Sequence, residues 1–63
     1  MAKTNELTSH NVEARNIVKG DLIVEGEDLL IAGRIDMDNQ AVTVLTEEGI
    51  RPYALNEIVT VIR

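Results

Sequence analysis

The chain has 63 residues, no cysteine, and eleven acidic against six basic side chains, a formal charge of −5. A chain of this size buries only about 60% of its unfolded surface, enough for one small domain, and no disulfide or thiolate metal site reinforces it. The negative balance disfavours broad phosphate binding, and a single tyrosine with no tryptophan or phenylalanine offers little for base stacking.

No apolar run approaches the roughly 20 residues of a membrane span, and no signal-peptide pattern opens the sequence. The expectation is a cytoplasmic protein without membrane contact. A small scaffold lacking staples often gains its core by oligomerising, so a second copy is a natural partner.

Residues 1–16, MAKTNELTSHNVEARN, form a polar segment whose scattered apolar positions build no helical stripe. Two readings stay open: a short helix capped by Thr4 or Asn5 with Glu6 in its first turn, or a flexible tail. His10 reads as a solvated side chain.

From Ile17 the composition changes, and residues 17–63 read as one β domain. β-Branched and leucine residues cluster between Gly, Asp and Asn punctuation. Strands are expected at Leu22–Glu25, Leu29–Asp36, Ala41–Thr46, Ile50–Leu55 and Ile58–Arg63, joined by short turns. In "TEEG", Gly49 supplies a positive φ cheaply, which marks a tight reversal. "LNE" before the last strand reads as a short 3₁₀ turn.

Five short antiparallel strands in so few residues imply an all-β fold, a small and strongly bent barrel. Gly33, in the middle of the second strand, marks the sharp corner. Alternation puts Ile31, Gly33 and Ile35 on one face, with Val42 and Val44 from the third strand in the core and Ile58 and Ile62 sharing a face of the fifth. The opposite positions are apolar too: Leu30 and Ala32, Ala41 and Leu45, Val59 and Val61. Apolar residues on both faces imply burial on both sides, by another subunit or by the N-terminal segment.

Catalytic chemistry has no recognisable foothold. There is no Ser/His/Asp or Cys/His arrangement and no glycine-rich phosphate loop, so the expectation is a non-enzyme without metal or cofactor. The turn Asp36-Met37-Asp38-Asn39 superficially resembles a calcium loop but lacks its ligand spacing. It reads as a solvated turn whose Asp and Asn bond their own backbone.

The stretch "GRIDMDNQAVTV", with Gly33, Ile35, Asn39, Val42 and Val44, resembles the first motif of the Sm-like family, which includes the Hfq and Lsm proteins. "YALNEIVTVI" is similar to the closing strand pair, so the resemblance spans residues 22–63. SH3-like barrels share the strand count and the final 3₁₀ turn, but the first connection here, "GED", is much shorter than theirs. The Sm-like resemblance implies a homo-oligomeric ring closed by pairing the fourth strand with the fifth of the next subunit, placing Val59 and Val61 at that interface. It also implies single-stranded RNA binding, with Asn39 reading a base edge and Tyr53 or Arg63 adding stacking or charge. The sequence departs from the pattern: the Tyr-Lys-His triplet of Hfq would fall at Tyr53-Ala54-Leu55, and the Arg-Gly pair of other Sm proteins is missing. The alternative is a small acidic protein-binding adaptor or inhibitor of the Sm-like or SH3-like type, of a kind that phages and mobile elements encode.

Overall fold

A computed structural model of the chain describes residues 7–63. Thr4, Asn5 and Glu6, and with them the expected helix cap, lie outside the described residues. Among the described residues the fold is mainly β, with seven strands: β1 (Ser9–Glu13), β2 (Leu22–Glu25), β3 (Asp28–Ile31), β4 (Ile35–Met37), β5 (Ala41–Thr46), β6 (Gly49–Ala54) and β7 (Ile58–Ile62). Among the described residues one 3₁₀ turn is present, Ala14–Asn16, directly after β1. The strands form two antiparallel sheets, ordered β1-β7-β2-β3 and β4-β5-β6.

The five-stranded, strongly bent barrel expected from the sequence is therefore corrected to seven strands in two antiparallel sheets that do not close into a barrel. Two causes are visible. The N-terminal segment contributes a strand rather than a helix or tail: β1 pairs along β7 from Ser9 opposite Ile62 to Glu13 opposite Ile58. The long second strand is also divided, because Gly33 and Arg34 together oppose Leu45. The Gly33 amide donates to the Leu45 carbonyl at 2.7 Å, and the Leu45 amide donates to the Arg34 carbonyl at 2.9 Å. Two residues facing one is the arrangement of a β-bulge, which bends the strand and shifts its alternation by one position. The strand thus leaves the first sheet as β3 and enters the second as β4.

The bulge decides which side chains face the core. Leu30 and Ala32 point inward before it and Ile35 after it, while Ile31, expected inside, is 54% exposed. The last strand is inverted relative to expectation as well: Val59 and Val61 are buried, whereas Ile58 is 62% exposed. Val42 and Val44 are fully buried, as expected, and join Ile23, Leu30 and Val61 as the largest enclosed side chains. Ala14 and Ile17, from the segment that follows β1, complete this cluster, and Val12 packs against it.

The turns follow residue chemistry closely. Gly26 takes φ +61° at the first central position of the β2–β3 hairpin, a form that matches strand twist. Gly49 adopts φ +114° after Glu47-Glu48, as its place in the reversal requires. The buried Thr46 hydroxyl closes that turn, donating to the Gly49 carbonyl at 2.7 Å and accepting the Glu48 amide at 3.1 Å.

Candidate protein-contact surface

The residues expected to bind RNA lie on separate elements: Asn39 in the β4–β5 turn, Tyr53 on β6 and Arg63 just after β7. Asn39 sits exposed in the β4–β5 turn, where Asp38 holds the backbone. The Asp38 carboxylate accepts the amides of Gln40 at 2.8 Å and Ala41 at 2.9 Å, and these bonds lower its pKa. The reading of a turn bonded to its own backbone holds for Asp38. Tyr53 is half-buried on β6 and packs against the core, so its ring is partly withdrawn from any stacking partner. Burial, and then the nearby Glu25 carboxylate, raise its phenol pKa.

Arg63 is committed elsewhere. Its Nε and Nη2 donate to the two oxygens of Asp21 at 3.1 and 2.9 Å, and Nη2 also reaches the Asn16 carbonyl at 3.2 Å. Asp21 is only 3% exposed and additionally accepts the Val18 amide at 3.0 Å. Burial alone would raise this carboxyl, but the Arg63 and Val18 bonds outweigh it and leave the pKa below its ordinary value.

Each of the four arginines meets a carboxylate. Besides Arg63–Asp21, Arg15 pairs with Glu13 at 2.7 Å, Arg34 with Asp36 at 3.4 Å and Arg51 with Glu25 at 2.9 Å. Among the described residues this leaves Lys19 as the one basic side chain outside an ion pair. In the Arg51–Glu25 pair the single Nε–H of Arg51 is shared between the two carboxylate oxygens, at 3.1 and 2.9 Å, and the contact joins β6 to β2, and so one sheet to the other. Sequence inspection missed it, although alternation with the inward Tyr53 turns Arg51 to the same side, where a partly withdrawn guanidinium gains from a carboxylate partner. No group of three or more His, Cys, Asp or Glu is placed to hold a metal ion among the described residues. Nor is any helix there long and apolar enough to cross a membrane.

The strand edges differ in how open they are. β7 is paired on both sides, by β1 and β2, so Val59 and Val61 lie within the chain's own core. Along β6, Pro52 lacks an N–H and therefore fits opposite Thr43 with its nitrogen turned to the free edge. The neighbouring groups on that strand are also occupied: the Ala54 amide donates to Glu57 Oε1 at 3.1 Å, and the Ile50 carbonyl accepts Arg51 Nη1 at 3.3 Å. Such devices discourage strand addition.

The outward face of the larger sheet carries an apolar area next to the polar Ser9, Asn11 and Thr60. Leu22 lies opposite both Ile31 and Ile62, and Val24 opposite Leu29, giving a patch across three strands. On the second sheet Leu45 and Ile50 face each other across β5 and β6, both exposed. Glu47 links the two regions, because its carboxylate accepts the Ile31 amide at 2.8 Å. No family model, curated protein or solved structure matches the chain.

Proposed function

We propose that this chain is a small, non-catalytic β module that acts as a single chain by binding another protein. The observation carrying this reading is the contrast between its charges and its apolar surface. Every arginine has a carboxylate of the same chain within 3.4 Å, while large apolar side chains stay exposed on the outer faces of both sheets. Phosphate contacts need free cations, whereas exposed apolar patches mark contact surfaces.

The test is capture of partners from a lysate of the expressing cells, with and without nuclease. Protein partners retained after nuclease support the reading. Partners lost on nuclease treatment, together with binding of uridine- or adenine-rich RNA that Asn39→Ala abolishes, would overturn it in favour of RNA binding.

The Sm-like ring remains the second reading, favoured by the exposure of Leu45, Ile50 and Ile58, which neighbouring subunits would cover. Its closure through β6 and β7 requires β1 to leave β7 and the capped edge of β6 to accept a strand.

A further inference from the structure

Resting on the protein-binding reading, we infer that the surface formed by Leu29, Ile31, Leu45 and Ile50 docks an amphipathic partner segment whose apolar side chains are flanked by lysine or arginine. All four side chains are exposed. Leu29 and Ile31 alternate along the outward face of β3, and Leu45 and Ile50 are directly opposed on the second sheet. The Glu47–Ile31 bond holds the β5–β6 turn beside β3, so these two apolar pairs lie on neighbouring ground.

The rim of this surface is acidic. Glu27 stands in the β2–β3 turn, two residues before Leu29, and Glu47 and Glu48 form the β5–β6 turn between Leu45 and Ile50. None of these three carboxylates is in an ion pair among the described residues, in contrast to Glu13, Asp21, Glu25 and Asp36. A second copy is a poor occupant, because a symmetric contact brings the same acidic rim against itself and both chains carry −5. A partner with cations at its margins and leucine-like side chains at its centre satisfies both features. Its rim charges set the rate and salt dependence of encounter, and its apolar centre sets residence.

The test uses the full chain and short fluorescent peptides followed by anisotropy. One peptide alternates leucine with lysine, a second alternates serine with lysine, and a third alternates leucine with glutamate. The leucine–lysine peptide is expected to bind, the other two to bind at least about tenfold more weakly, a difference of about 1.4 kcal/mol. Ile31→Ser and Leu45→Ser should each weaken binding by about tenfold, a loss typical of a central contact residue. Both positions are exposed, so the fold persists. The double change Glu27→Gln, Glu48→Gln should weaken it severalfold and flatten its salt dependence; Glu47 is left intact because it caps Ile31. Equal binding of all three peptides, or binding unaffected by Ile31→Ser and Leu45→Ser, would overturn the proposal. So would no binding at all, even where nuclease-resistant partners are captured; loss of those partners would instead overturn the underlying reading.

Discussion

Arg63, the last residue, grips the buried carboxylate of Asp21 with two hydrogen bonds and so fastens the end of β7 to the turn that precedes β2. Beside the same contact, the Asp21 carbonyl accepts the Ala32 amide at 2.8 Å, and the Gly20 amide donates to the Ala32 carbonyl at 2.8 Å. One ion pair thus secures the place where the C-terminus, the first long loop and the bent strand meet.

Asp21→Ala is expected to lower stability by about 2 kcal/mol, since it orphans the Val18 amide and the guanidinium, with Arg63 partly relieved by solvent. The folded pKa of Asp21 lies below its ordinary 3.8, so its stabilisation is complete above that value and is lost as pH falls through the folded value. Denaturant unfolding from neutral to strongly acidic pH should show a decline in the native chain that is shallower in Asp21→Asn. An identical acid profile in both would contradict this role.

Gly33→Ala should destabilise the fold by about 1–3 kcal/mol, the range for forcing extra volume into a packed site. A Cβ there would stand 2.9 Å from the Leu45 carbonyl oxygen, a backbone atom that cannot swing aside. Thermal unfolding of the purified variant measures the loss, and an unchanged midpoint would mean that the bulge opens without cost.

Alternate residues of the last strand should respond in opposite ways. Val61→Ala removes two methyl groups from a fully enclosed position and should cost about 2 kcal/mol. Ile58→Ser, on the solvent side, should stay within about 0.5 kcal/mol of the parent. Equal losses at both positions in urea unfolding would place β7 differently.

Much of the fold was legible because its signals are local. The strand positions from Leu22 onward, the Gly49 reversal and the corner at Gly33 each follow from the residue that makes them. The facing of side chains was harder to read. A bulge shifts alternation by one position, and "LIAGRI" is apolar on both sides of the corner, so nothing local separates Leu30 from Ile31. In the same way, "IVTVI" offers an aliphatic on either face until the pairing with β1 is known. That pairing joins residues about fifty positions apart through the polar stretch "SHNVE", in which only Val12 is apolar enough to reveal the strand. As for the candidate site, Asn39 could be recognised as a turn residue, but the engagement of Arg63 by Asp21 depends on a contact that no local pattern encodes.

The most direct measurement is the molar mass of the full chain in solution, by size-exclusion chromatography with light scattering at micromolar concentration after nuclease treatment. With β1 covering β7 and the β6 edge capped, the expected mass is that of one chain, unchanged on dilution. A stable multiple of that mass, with the ring intact after nuclease, would contradict the account and return the last strand to the interface.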